Sequence, residues 1–449
     1  MEFRGMEGIV IELLSAPELQ RLRRITQLGL CHFVFPAAEH SRFSHCLGAA
    51  YLAVRFGKQL QEEAKSFCIP ELGPGEYEIR DLAVAALCHD LGHGPLSHAW
   101  EREIVGVQYA REEWAHSLGL SWSQGDYGKL KWHEMVSQAL LSWEDGPLYR
   151  RLSKNEHDLP PRIREMLLGR HWVRCLPRLL SSDVDVDRGD FLLRDAHNCG
   201  VRYGHYDVDW LISTCTIGFT ESGDPVIGFD RRKGYRVVQA FLNARRAMYD
   251  TVYTHKTTRC AEGMVGLFLR RLKDLALRSG DLKVSDAFQS VVSLVSGRPC
   301  TPKEFLALDD HVIWALIEHL ARRDQGDEVL RDLGERLLSR VLFKRVPVDG
   351  KKALVFLAQA DGRDKVHSVL RRHGIGEPKY YLVEENVEFK MLGDAEPDRG
   401  YFVDVDDSGR LAVPIRDTSV GLFDSSDDHD EFRIYVPEDA VADIVALMK

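Results

Sequence analysis

Apolar residues recur at helical spacing from about residue 9 to 277, and short β-branched runs appear only after Arg345. That order constrains the fold more than any other feature. A chain whose first 280 residues carry a 3.6-residue period has to bury helix against helix, with strands confined to a later segment. Residues 42–55, 81–93, 132–141, 182–195, 206–212 and 235–277 read as helices. Ser15-Ala16-Pro17-Glu18 has the form of a capping box, a Ser followed three residues later by a Glu. Farther on, 353–357, 380–383, 401–405, 411–415 and 432–436 read as strands between Gly, Pro and Asp turns, with a closing helix over 439–448. The expected class is mainly α: a helical core over 1–280, a helical extension over 281–345 and a smaller α+β C-terminal lobe over 346–449. The acidic stretch 424–431 reads as a solvated turn.

Residues 81–87 read as a buried helix, and His89-Asp90 follows at once in Leu87-Cys88-His89-Asp90-Leu91-Gly92-His93-Gly94. Leu82, Ala85 and Ala86 share the helical face of His89, and His93 lies one turn further on. Imidazoles that continue an apolar stripe need a partner, because an unpaired polar group away from water costs a few kcal/mol, roughly 2–7. An imidazole beside a carboxylate can share one borderline-hard metal ion. His45, in Arg42-Phe43-Ser44-His45-Cys46, and Asp187, in Asp183-Val184-Asp185-Val186-Asp187-Arg188, can complete such a site. Asp183 and Asp185 are rival carboxylates in that cluster. His93 and His133, the latter in Trp132-His133-Glu134, are better placed for substrate phosphates than for the metal. For any one of these residues, a satisfied core histidine or a helix-capping aspartate is the competing reading.

Taken together, several stretches resemble the HD-domain phosphohydrolases, and within them the deoxynucleoside triphosphate (dNTP) triphosphohydrolases. The likeness falls on the HD catalytic core of the sterile-alpha-motif and HD-domain group, without the sterile-alpha-motif. The matching stretches are Gln20-Arg21-Leu22-Arg23 through Gln27-Leu28-Gly29; Val34-Phe35-Pro36 with Arg42-Phe43 and His45; Leu87 through His98; Trp132-His133-Glu134; Asp185-Val186-Asp187-Arg188 through Arg194-Asp195; and Tyr253-Thr254-His255-Lys256. Each is weak singly; in this order they are specific.

The resemblance implies an HD-domain helical core and metal ligands at His45, His89, Asp90 and Asp187. Two imidazoles and two carboxylates suit Fe, Mn or Zn, with Mg accompanying the triphosphate. It implies phosphate contacts from Arg42, His93, His133, Arg188, Arg245 and Lys256, with His98 as general acid. Gln27 and Asp195 would hold the sugar 3′-hydroxyl, while Leu28 and Tyr253 crowd the 2′ position. Arg245, Tyr249 and Tyr253 stand four apart on one helical face, with Lys256 next along it; Asp187, Phe191 and Asp195 form another stripe. On spacing alone Asp195 could equally pair with Arg194 or Arg202. Two positions depart from the family. Phe191 replaces a Tyr, and Arg4-Gly5-Met6-Glu7-Gly8 lacks the Asp of the Asp-Pro-x-His-Gly segment that helps form an activator-nucleotide pocket, which puts guanine-nucleotide activation in question.

The expected function is metal-dependent hydrolysis of a dNTP to deoxynucleoside and inorganic triphosphate, by a homo-oligomer. The alternatives are an HD-type nucleotidase or phosphodiesterase on nucleoside monophosphates, other nucleotides or single-stranded nucleic acid, and a catalytically silent nucleotide sensor. A net charge of −10 provides no global basic field, so long nucleic acids are not favoured as partners. Apolar runs are too short for a membrane span, and Met1-Glu2-Phe3-Arg4-Gly5 lacks a signal-peptide core. Nine cysteines without metal-knuckle or redox spacing read as small buried hydrophobes in a reducing, cytoplasmic setting.

Overall fold

Small residues decide how the first helices meet. The structure, a computed structural model, describes residues 7–67, 69–105, 130–173, 175–279, 284–298, 301–322, 326–389, 391–392, 400–406, 409–418 and 429–449. Helix α1 (Arg42–Ser66) packs along α2 (Glu76–Cys88), burying Ala49, Ala50, Ala53 and Gly57 against the apolar face of its neighbour. A Cβ on Gly57 would sit 3.0 Å from Ile79, so this helix pair is close-packed. The short α3 (His98–Val105) and α4 (Trp132–Ser142) follow, and α5 (Val186–Cys199) lies across α1. Asp185 caps α5 by accepting from Arg188 N, and Gly200 closes it in the left-handed conformation at φ 70°.

The stretch read as one long helix over 235–277 is broken. Helix α6 (Arg231–Met248) runs into a π-helical turn, Tyr249–Tyr253, before α7 (Lys256–Ser279). Beyond it, α8 (Asp310–Ala321) and α9 (Glu328–Leu338) pack on each other, and α9 packs on α7. The described architecture is mainly helical, with a smaller α+β portion.

Strands appear earlier than expected. β1 (Cys215–Phe219) and β2 (Pro225–Asp230) form an antiparallel hairpin inside the helical region. They close a small four-stranded barrel with β5 (Tyr401–Asp406) and β6 (Gly409–Pro414), through parallel pairs such as Phe229 with Phe402 and Phe219 with Leu411. A second sheet has the order β3 (Lys344–Arg345), β7 (His429–Val436), β4 (Val383–Phe389). The run 353–357 is not a strand. It lies in α10 (Gly350–Ala358), where Asp349 caps by accepting from Lys352 N. Ala353 and Leu357, four apart, are buried, while Val355 between them is 64 % exposed, a helical pattern that β-branching had masked. Residues 378–380 form a 3₁₀ turn, so the strand expected from 380 starts at Val383. Helix α11 (Gly362–Arg372) was not expected, and α12 (Val441–Met448) closes the chain.

Ser15 caps nothing. Its hydroxyl donates to Glu12 O, the following helix starts at Pro17, and Glu18 is buried, accepting from Leu148 N. One apolar cluster runs from Val10 to Met448. All seven described cysteines are free and buried. No helix among the described residues is long and apolar enough to cross a membrane. Residues 4–6 of the activator-like segment and 424–428 of the acidic stretch lie outside the described residues.

Candidate metal centre and substrate cavity

Three separate stretches bring four ligand-type side chains to one point. His45 sits in the first turn of α1, His89 caps the end of α2 with Asp90 next to it, and Asp187 lies in the first turn of α5. His45 Nε2 is 3.3 Å from His89 Nε2 and 3.0 Å from Asp187 Oδ1. His89 Nε2 is 3.3 Å from Asp90 Oδ1 and 3.5 Å from Asp187 Oδ1. The other nitrogen of each ring is already tied. His89 Nδ1 donates to Ala86 O at 2.7 Å, and His45 Nδ1 donates to Asp190 Oδ2 at 2.9 Å. Each imidazole therefore turns its Nε2 toward the shared point, the orientation seen in metal-ligating histidines. His45, His89 and Asp90 each offer a ligand atom within reach of one ion, with Asp187 Oδ1 against both imidazoles, and this donor set fits a divalent transition ion.

Electrostatics agree. Burial opposes charge on His45, but hydrogen bonds with Asp187 and Asp190 push its imidazole up to about 10. Burial likewise opposes ionisation of Asp90 and Asp187. His89 and Arg42 around Asp90, and the two histidines around Asp187, hold both carboxyls well below the usual range. A glycine makes the support possible. A Cβ on Gly48 would lie 1.8 Å from Asp190 Oδ1, and Asp190 is gripped through both oxygens by Arg194 at 2.8 Å each.

The rival carboxylates are otherwise engaged. Asp185 accepts from Ser182 N and Arg188 N and pairs with the Arg188 guanidinium; burial pushes its carboxyl up to about 6. Asp183 accepts from Gly400 N at 2.8 Å. Of the three, Asp187 alone faces the histidines.

Beside this centre, His93 and His133 stack with ring centroids 3.9 Å apart. His93 Nε2 lies 3.3 Å from Asp90 Oδ1 and its Nδ1 lies 2.7 Å from Glu101 Oε1, while His133 Nδ1 is hydrogen-bonded to Glu101 Oε2 at 3.1 Å. Glu101 escaped the sequence reading. Its only signal is a position three residues after His98 on α3, which means nothing until the fold brings α4 alongside. Burial and the neighbouring His93 lower the His133 pKa. His98 opens α3, and its side chain lies outside the described ones.

The centre opens into a cavity of about 1210 Å³. Gln27, Leu28, Arg42, His89, Asp90, His93, His133, Asp187, Arg188, Phe191, Asp195, Tyr249 and Tyr253 all line it. Asp195 pairs with neither Arg194 nor Arg202. Its oxygens accept from Tyr253 OH and from His40 Nε2, each at 2.8 Å. Arg245 is buried behind the wall, donating to Met391 O at 2.6 Å, and burial plus the nearby Arg188 lower its pKa. Lys256 is not among the lining residues. It is exposed at the start of α7, beyond the π-helical turn that separates it from the helix of Arg245. The far wall is Asn386, Val387 and Glu388 of β4, which the sequence reading had no means to place there.

The family model described as HD domain matches residues 42–160 of this chain. That span holds His45, His89, Asp90 and His133; Asp187 lies beyond it. An uncharacterized protein, YwfO, of Bacillus subtilis (strain 168) is 28% identical over 442 residues, 97% of this chain and 90% of its own. A Dictyostelium discoideum protein named deoxynucleoside triphosphate triphosphohydrolase SAMHD1 homolog is 29% identical over 312 residues, 68% of this chain and 51% of its own. Human deoxynucleoside triphosphate triphosphohydrolase SAMHD1 is 25% identical over 267 residues, 58% and 41% respectively. This chain thus spans about half the length, or less, of those two relatives. Among solved structures, a phosphohydrolase from Bacteroides thetaiotaomicron VPI-5482 shares the fold, with a TM-score of 0.72 at 24% identity over 96% of both chains.

Proposed function

We propose that this HD-domain chain, similar to the triphosphohydrolases just described, hydrolyses dNTPs to deoxynucleoside and inorganic triphosphate in a metal-dependent reaction. The observation that carries the reading is the convergence of His45, His89, Asp90 and Asp187 at the edge of a cavity of about 1210 Å³, roomy enough for a nucleotide. His45, His89, Asp90 and Asp187 would hold a divalent cation, Fe, Mn or Zn, which would supply Lewis-acid stabilisation and lower the pKa of a water toward neutrality.

The chain's own residues do the rest. Arg42, bonded to Asp90 at 2.5 Å, together with Arg188 and Arg245, supplies the positive field that a triphosphate requires, with Mg accompanying the phosphates. His93 and His133, stacked on each other with His133 hydrogen-bonded to Glu101, present imidazoles at the phosphate end. Asp195, fixed by Tyr253 and His40, offers carboxylate lone pairs to a sugar 3′-hydroxyl. Gln27 stands nearby; its Oε1 is buried with no hydrogen-bond partner among the described residues. Leu28 and the Tyr253 ring would leave a ribose 2′-hydroxyl unpaired, favouring deoxyribose. Phe191 adds apolar wall and no hydroxyl. His98, at the head of α3, is assigned the proton delivered to the departing 5′-oxygen. Lys256 has no part in this assignment.

A substrate panel tests the reading: each dNTP and rNTP, singly and mixed, deoxynucleoside monophosphates and a labelled single strand, against Mn, Fe, Zn and Mg. Triphosphate from dNTPs, with rNTPs at least tenfold slower, is expected. Phosphate from monophosphates or shortening of the strand, with dNTPs intact, would replace it with the nucleotidase or phosphodiesterase reading.

A further inference from the structure

Among the described residues, three non-glycine residues have positive φ, and two are consecutive: Leu96 at 54° and Ser97 at 53°. Backbone of this kind persists only where surrounding contacts over-determine it. Here the contact is a carboxylate from more than 200 residues away. Asp310, buried at the start of α8, accepts from Leu96 N at 2.7 Å through Oδ1. Through Oδ2 it accepts from Thr26 N at 2.9 Å and Thr26 Oγ1 at 2.7 Å. Both arms lead into the site. Thr26 precedes Gln27 and Leu28 of the cavity wall. Ser97, next to Leu96, accepts from Arg42 Nε at 3.0 Å, and Arg42 Nη1 in turn holds Asp90 Oδ2. The fit allows no looseness, because a Cβ on Gly29, itself at φ 52°, would stand 3.2 Å from Leu96 O.

We infer that Asp310 is a positioning residue for the metal site: one buried carboxylate bridges Thr26 and the left-handed Leu96–Ser97 turn, and through Ser97 and Arg42 it fixes the Asp90 carboxylate. The inference rests on the reading of His45, His89, Asp90 and Asp187 as metal ligands, and not on the identity of the substrate. Its neighbour Asp309 is a control built into the same helix start. Asp309 caps Val312 N and pairs with Arg24, and it touches neither arm.

The test is Mn²⁺ binding by titration calorimetry on metal-stripped full chain, with dNTP turnover and melting temperature measured alongside. Asp310→Asn keeps one acceptor oxygen but turns an NH₂ group toward a backbone donor, opening one arm. It is expected to raise the Mn²⁺ Kd at least fivefold. Asp309→Asn should leave that Kd within twofold even if its melting temperature falls as much. Thr26→Val removes the hydroxyl that bonds Asp310 at 2.7 Å and lies 3.2 Å from Gly29 O, keeps the Thr26 N bond, and gives the answer if Asp310→Asn does not fold; a two- to fivefold weaker Mn²⁺ site is expected. Wild-type Mn²⁺ affinity in the folded Asp310→Asn or Thr26→Val protein would overturn the inference, as would equal weakening by Asp309→Asn. If wild type binds Mn²⁺ and the variants rank as expected while no dNTP is cleaved, the positioning role stands and the substrate reading falls.

Discussion

At the scale of single residues, the proposed metal centre depends on side chains outside the proposed ligand set. His45 is oriented by Asp190, Asp190 is held by Arg194, and both occupy the space where Gly48 has no side chain. Gly48→Ala is therefore expected to displace the Asp190–Arg194 pair, costing about 1–3 kcal/mol in fold stability as an overpacked core site. Loss of an outer partner of a ligating histidine typically weakens metal binding roughly 10–100-fold, and Gly48→Ala should fall in that range. Denaturant unfolding of the metal-free protein and Mn²⁺ titration check the two effects; wild-type values in both would contradict the account. The four residues proposed as ligands were legible as His and Asp in ordered motifs. Gly48, Asp190, Glu101 and His40 were not, because their roles exist only once helices distant in sequence lie side by side.

At the scale of elements, period was a better guide than residue type. Most helices that carry the site were visible in apolar spacing, but the one begun at Arg42 runs on to Ser66, past the expected 55, and α3, which carries Glu101, was not expected. Residues 353–357 were misread because β-branched and aromatic residues suggested a strand, whereas burial at 353 and 357 follows the helix of which Asp349 is the cap. The π-helical turn at Tyr249–Tyr253 has no sequence mark, and Lys256 begins a new helix beyond it, off the cavity wall. Joints between elements also carry charge. Glu156, just after a short helix, accepts from Arg80 of α2 at 2.5 Å and from Arg162 at 2.6 Å. Those hydrogen bonds hold its carboxyl at about 2, against a usual 4.5. Its folded pKa is depressed, so its stabilisation is complete above pH 4.5 and is lost as pH falls from there toward 2. Because the cluster is partly exposed and screened, Glu156→Gln should cost under about 1 kcal/mol at pH 7. Urea unfolding should show the gap between wild type and variant narrowing by pH 3; a gap constant with pH would count against the linkage.

At the scale of the whole molecule, the sequence order hid how late segments return to early ones. β5 and β6 close a barrel begun by β1 and β2, β4 walls the cavity, and the start of α8 braces the turn before α3. These pairings link residues 170 to more than 280 positions apart, for which local pattern carries no signal. What did carry was chemistry: the four residues read as ligands meet at one point, and their supporting hydrogen bonds leave the ligating atoms directed inward. The central claim is that this point, loaded with metal, breaks the bond between a deoxynucleoside and its triphosphate. Phosphorus NMR of the Mn²⁺-loaded full chain with a mixture of the four dNTPs tests it most directly. The account predicts resonances of free inorganic triphosphate that are abolished by chelator and by Asp187→Ala in a folded protein. Appearance of pyrophosphate or single phosphate instead, or triphosphate release undiminished by Asp187→Ala, would contradict it.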